Sequence, residues 1–192
     1  MSVKNCDNMS ISPWISRFSP LVAAGHSVLD LAAGRGRHSA WFLQQGHPVT
    51  AVDRDVASLE ARRRAMDPAM RSQFEIIEAD LEDGSSWPLY DRRFDAVIVV
   101  NYLHRPLWPS ILSAIAPGGL LIYETFAVGQ EALGKPRNAN FLLRPGELLQ
   151  VVGDQLHIIA FEQGLVGTGQ DQTVKQRLAA IDAPRPQLLS SS

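Results

Sequence analysis

The chain has a single cysteine, Cys6, in 192 residues, which excludes an internal disulfide framework and leaves no thiolate cluster for a metal. Long apolar runs are missing too. The longest, Ala96 to Val100, falls far short of the roughly 18 residues that suggest a membrane-spanning helix. The polar stretch Met1 to Ser12 lacks the apolar segment of a secretory signal. A cytoplasmic protein without a membrane partner is therefore expected. Neither sign of charge is in excess: 18 Lys and Arg stand against 20 Asp and Glu, for a net charge of -2. The electrostatic footprint of a dedicated nucleic-acid binder is absent from the bulk composition. His26, His47 and His157 are scattered without ligand spacing, so no metal site is expected. No internal repeat and no linker divides the chain.

What is present is an ordinary globular composition, 45% hydrophobic and 20% charged, which fits one domain over residues 1–192 with loose ends at 1–12 and 184–192. Its organising stretch is Val28-Leu29-Asp30-Leu31-Ala32-Ala33-Gly34-Arg35-Gly36-Arg37-His38. An apolar run closes on an acid, passes through a small-residue turn and enters a helical run from Ser39 to Gln45. Such loops let a ligand approach the backbone, because glycine has no Cβ and takes positive φ. The dinucleotide fingerprint fails here, since Ser39 stands where its third glycine belongs. Asp30 beside the loop would repel a pyrophosphate and attract a ligand ammonium.

Further along, Ser12-Pro13 signals a short helix at Trp14 to Phe18. Strands are expected at Ser27 to Leu31, Val49 to Asp53, Phe74 to Glu78, Phe94 to Val100 and Leu120 to Phe126. The unbroken apolar character of Phe94 to Val100 suits a central parallel strand. Asp55 can cap the helix whose Val56, Leu59 and Met66 share a buried face, with Arg62, Arg63 and Arg64 as a solvated face. A helix is expected at Pro109 to Ile115, a turn at Pro117-Gly118-Gly119, a lid-like loop at Ala127 to Asn140 and a helix opened by Arg144-Pro145-Gly146-Glu147. Leu156 to Phe161 and Thr173 to Ile181 are too closely spaced for a helical crossover and should pair antiparallel. The fold expected is α/β: a doubly wound, mostly parallel seven-stranded sheet with a C-terminal antiparallel hairpin and helices on both faces.

Asp30, Asp53, Asp80 and Asn101 all fall at carboxyl ends of strands, on the edge where such sheets bind ligands. A carboxylate at Asp53 can accept from both hydroxyls of a ribose, Asp80 from an exocyclic amine, and the Leu81 backbone can address a ring. Any one of these acids alone reads more simply as a helix cap.

Together these residues resemble the class I S-adenosylmethionine-dependent methyltransferases. Asp30, Ala32, Gly34 and Gly36 match the first motif, with Ala32 in place of a glycine. Asp53 matches the ribose acid and Asp80-Leu81 the adenine side. Phe94-Asp95-Ala96-Val97 matches the fourth-strand motif and Pro117-Gly118-Gly119-Leu120 the turn before the fifth strand. The resemblance implies a Rossmann-like methyltransferase fold, S-adenosylmethionine as cofactor and S-adenosylhomocysteine as product. Arg37 and Arg54 join the expected cofactor residues, Arg37 as a partner for the cofactor's carboxylate.

Within the class, Gly34-Arg35-Gly36-Arg37-His38-Ser39 and Arg144-Pro145-Gly146-Glu147-Leu148 look most like the small tellurite-resistance and thiopurine-type enzymes. The last loop reads Gly164-Leu165-Val166-Gly167-Thr168-Gly169 where some tellurite-resistance members carry a His-Arg pair, which turns the expectation away from tellurite. A small-molecule acceptor is expected beside Asn101-Tyr102-Leu103-His104-Arg105-Pro106, with Tyr102, His104 and Arg105 as candidate catalytic residues. His104 has the pKa of a base, and Arg105 could hold an anionic substrate. The alternatives are an RNA or protein acceptor gripped by Lys135, Arg137 and Arg144, or a cofactor-binding module without catalysis.

Overall fold

The computed structural model describes residues 10–183. Within them, β1 (Val28–Leu31), β2 (Val49–Asp53), β3 (Phe74–Glu78), β4 (Phe94–Val100), β5 (Ile115–Phe126), β6 (His157–Val166) and β7 (Thr173–Ile181) form one sheet in the order β3-β2-β1-β4-β5-β7-β6. The first five run parallel, while β7 inserts antiparallel between β5 and β6. This is the expected doubly wound sheet closed by a hairpin, with β4 at its centre.

Alternation along the strands explains why both faces are covered. Val28, Ala96, Ile98, Leu120 and Ile122 point to one face and pack with Trp14 and Phe18 of α1 (Pro13–Phe18), Phe42 of α2 (Arg37–Gln44) and Leu59 of α3 (Ala57–Ala65). Leu29, Leu31, Val97, Val99, Leu121 and Tyr123 point to the other face. There they meet Ile111 of α5 (Trp108–Ser113), which follows the small surface helix α4 (Pro68–Ser72), and Leu148 and Val152 of α6 (Glu147–Val152). Period-2 side-chain alternation in a sheet apolar on both faces requires helices on both. No helix among the described residues is long and apolar enough to cross a membrane.

Several boundaries differ from those expected. β5 starts at Ile115 rather than Leu120, so Pro117-Gly118-Gly119 lies inside an extended strand whose register against β4 shifts between Phe94 and Ala96. A Cβ on Gly119 would meet the carbonyl oxygens of Ala116 at 2.8 Å and Phe94 at 3.0 Å, so the irregularity depends on a missing side chain. β6 continues to Val166, through residues expected as loop, because Gln163 to Val166 keep pairing with Thr173 to Gln176 of β7. The expected loose ends lie outside the described residues except for Ser10 to Ser12. There Ser12 is buried and caps α1, its hydroxyl accepting from the Trp14 amide at 3.1 Å.

Candidate active site

The loop after β1 turns through left-handed conformations at Ala32 (φ 54°), Gly34 (φ 57°) and Gly36 (φ 70°) before α2 begins at Arg37. Two neighbours hold it. The Gly34 amide donates to Asp53 Oδ2 at 2.7 Å, and Arg62 Nε donates to the Arg35 carbonyl at 2.6 Å. Arg62 is thus not simply part of a solvated face: it ties α3 to the glycine loop. Gly36 lies against the same helix, where a Cβ would come within 2.5 Å of Leu59 Cδ2.

Asp30 has a task other than the one its position suggested. It is 1% exposed, and its Oδ2 accepts from both the amide and the hydroxyl of Ser39, at 2.9 and 2.6 Å. Burial pushes its carboxyl up to about 6, against the Ser39 hydrogen bonds that favour the ionised form. It tethers the first turn of α2 from beneath the loop and does not present a free carboxylate to a cavity. Arg37, at the start of α2, reaches the Ser10 carbonyl with Nη1 at 3.4 Å.

Above the carboxyl ends of β1, β2 and β3 lies a cavity of 260 Å³. The expected Ala32, Asp53, Arg54, Asp80 and Leu81 line it, joined by Ala79, Glu82, Tyr102 and Phe141. Asp53 is half-buried, its second oxygen accepting from the Asp55 amide at 3.0 Å. Asp80 is exposed and accepts from the Glu82 amide at 2.9 Å, which fixes the turn that carries Leu81. Gly34 and Gly36 serve this cavity through backbone geometry and not as wall.

A second cavity of 260 Å³ adjoins the first and shares Glu82, Tyr102 and Phe141 with it, adding Asn101, Leu103, Thr125, Phe126 and Pro136. Asn101, expected beside the cofactor, thus belongs to the neighbouring cavity. Its φ is 56°, and its Oδ1 accepts from Lys175 Nζ at 2.8 Å, while the same ammonium pairs with Glu124 at 3.2 Å. The Tyr102 hydroxyl is shut away from solvent, without a hydrogen-bond partner among the described residues. Burial, then the nearby carboxylates of Glu82 and Asp80, push its phenol well above the ordinary range, so it stays protonated and can only donate or accept a hydrogen bond. Its own carbonyl is pinned by the Tyr123 hydroxyl at 2.7 Å.

The remaining two candidates are not among the wall residues of either cavity. Arg105 cannot hold an anionic substrate, because Nε and Nη2 grip Glu147 at 2.6 and 2.9 Å and Nη1 and Nη2 donate to the Asn140 and Leu142 carbonyls, both at 2.9 Å. His104 lines neither of these two cavities and directly precedes a 3-10 turn at Arg105–Leu107. Two wall residues, Glu82 and Phe141, and the lysine that holds Asn101 escaped the sequence reading. Glu82 follows Asp80-Leu81 directly and Phe141 follows the expected lid by one residue, so closer attention to the flanks could have found both. Lys175 becomes visible only once β7 pairs beside Phe126 of β5.

A family model described as "Methyltransferase domain" matches residues 28–119. The chain is 34% identical over 109 residues to a demethylmenaquinone methyltransferase of Clavibacter sepedonicus, an alignment covering 54% of this chain and 42% of that protein. The match thus spans less than half of the relative's length. Among solved structures, TehB from Haemophilus influenzae superposes with a TM-score of 0.71 at 16% identity, covering 94% of this chain and 65% of the other. The 1,6-didemethyltoxoflavin-N1-methyltransferase of Burkholderia thailandensis, solved with 1,6-didemethyltoxoflavin and S-adenosylhomocysteine, gives 0.63 at 18% identity, covering 88% and 75%. At such identities the two structures establish a shared fold. Residues 28–119, just under half of the chain, thus resemble a methyltransferase domain, and the chain shares its fold with these two solved structures.

Proposed function

We propose that this chain is an S-adenosylmethionine-dependent methyltransferase that acts on a small molecule in the cytoplasm, with residues 10–183 working as one domain. The observation that carries the reading is the pair of adjoining cavities at the carboxyl edge of the parallel strands, one lined by Asp53, Asp80 and Leu81 and the other by Asn101, Thr125 and Phe126. A two-substrate transfer needs two sites that share a wall, and Glu82, Tyr102 and Phe141 form one.

The residues present fit the cofactor. The space beside Gly34 is open, with nothing within 4 Å of where a Cβ would stand, so a ligand can reach the loop backbone. Asp53 offers carboxylate oxygens to a ribose diol, Asp80 an acceptor to an exocyclic amine, and Leu81 backbone groups to a ring. Buried Asp30 supports this surface through α2 and adds a negative field beneath the loop once ionised.

When bound, S-adenosylmethionine supplies a methyl group already activated on a sulfonium, so the protein's contribution is chiefly alignment. Tyr102, held protonated, does not remove the acceptor's proton. Glu82 faces both cavities and is the carboxylate placed to receive a hydrogen bond from an acceptor N–H or O–H. The size of the second cavity, between Phe126 and Phe141, supports a small acceptor over RNA or protein, although Lys135, Arg137 and Arg144 are near by on the surface.

Transfer of labelled methyl from S-adenosylmethionine into a fractionated cell extract tests the proposal. Label in the small-molecule fraction is expected. Label confined to RNA or protein contradicts the acceptor class, and no transfer into any fraction contradicts enzymatic activity.

A further inference from the structure

The segment between β5 and α6 is fastened at its base and at its middle. At the base, the Val128 amide donates to the Leu143 carbonyl and the Leu143 amide to the Phe126 carbonyl, both at 3.0 Å. Buried Gln130 joins it to β7, accepting from the Val174 amide at 2.8 Å and donating to the Lys135 carbonyl at 3.0 Å. Arg105 holds the far part. Its guanidinium takes the carbonyls of Asn140 and Leu142, one on each side of Phe141, and is itself clamped by Glu147, whose Oε2 also accepts from the Arg144 amide at 2.7 Å.

Phe141, between those two grips, is 42% exposed yet lines both cavities. A phenyl ring kept half in water by such a clamp is not filling the core. Its free surface is available to whatever occupies the second cavity, where Phe126, Leu103 and Pro136 form the other apolar walls. Asn101 and Glu82 place polar groups at the edges of that space. Apolar faces with polar edges match a flat ring system bearing a hydroxyl or amine, which meets an aromatic wall with good area and favourable geometry.

We propose that Phe141 determines acceptor specificity, favouring a flat aromatic hydroxyl or amine compound over a puckered aliphatic one of similar size, and that Arg105 and Glu147 are positioning residues acting through it. This rests on the methyltransferase reading. Lysine cannot replace Arg105 in the role, because one ammonium on a flexible stem cannot bridge a carboxylate and two carbonyls together.

The test uses the full chain saturated with S-adenosylhomocysteine and titrated by calorimetry with 2-naphthol and with decahydro-2-naphthol. The flat probe is expected to bind about tenfold more tightly, as an aromatic contact of this kind allows. Phe141→Ala removes most of that preference and Phe141→Trp keeps it. Arg105→Gln and Arg105→Lys each weaken 2-naphthol several-fold, but in the double variant with Phe141→Ala they add nothing further, as required of residues acting through one side chain.

Equal binding of the two probes, no binding of either, or a preference untouched by Phe141→Ala overturns the assignment of Phe141. Additive losses in the double variant overturn the positioning role. Affinity for S-adenosylhomocysteine is read first on the same samples. Its absence removes the methyltransferase reading together with this inference, whereas its presence without a flat-ring preference removes this inference alone.

Discussion

Asp30, tied to Ser39 of α2, and His38, in the first turn of that helix, are two buried titratable groups with opposite tendencies. Burial raises the Asp30 carboxyl to about 6 and lowers the His38 imidazole to about 3, leaving His38 neutral and able to accept from the Ser12 amide through Nε2 at 3.3 Å. For Asp30 the folded state holds its proton more tightly than the unfolded chain, so its contribution to stability is favourable at low pH and is lost as pH rises toward and through about 6. Asp30→Asn removes that loss. Relative to the parent, the variant should gain about 2 kcal/mol between pH 4.5 and pH 7.5, the difference left by a carboxyl moved from 3.8 to about 6. Urea unfolding of both proteins at the two pH values measures it, and a difference independent of pH contradicts the burial account. The sequence placed Asp30 correctly at a strand end. What it could not show was Ser39 folded back onto the carboxylate, because that contact depends on α2 starting at Arg37.

At the scale of elements, the loop between β1 and α2 owes its shape to α3 as much as to its own glycines. Gly34 and Gly36 both have positive φ, at 57° and 70°, but only Gly36 has a neighbour, Leu59, where a side chain would go. Gly34→Ala should therefore cost only backbone strain, about 1–2 kcal/mol. Gly36→Ala should cost more, about 3 kcal/mol, since the methyl must also displace a fully buried leucine. Denaturant melts of the two variants compare them directly, and equal losses would mean that α3 does not buttress the loop. The glycine pattern was legible as a close-approach loop. The role of Arg62 was not, because a run of three arginines gives no sign of which one reaches the Arg35 carbonyl. Arg105 misled for a related reason: a lone arginine after the central strand resembles a substrate anchor until Glu147, 42 residues on, is seen beside it.

At the scale of the whole molecule, the sheet was readable because its inner strands β1, β2 and β4 are mostly apolar and carry or run into Asp30, Asp53 and Asn101, a pattern set by burial on both faces. The carboxyl-edge acids Asp53 and Asp80 followed from that order and do meet at one cavity. The second cavity was less legible, since Phe126, Phe141 and Asn101 come from a strand end, a lid and a left-handed turn that share no local signal. The reading of the molecule depends on the first cavity accepting a cofactor through the Asp53 carboxylate. Calorimetric titration of the purified chain with S-adenosylhomocysteine, beside NAD as control and repeated on Asp53→Ala, examines that dependence most directly. Saturable binding of S-adenosylhomocysteine, none of NAD, and at least about a tenfold loss in Asp53→Ala, as expected when a charged acceptor of hydrogen bonds is removed, are the predicted results. No binding of S-adenosylhomocysteine, or unchanged affinity in Asp53→Ala, would contradict the account.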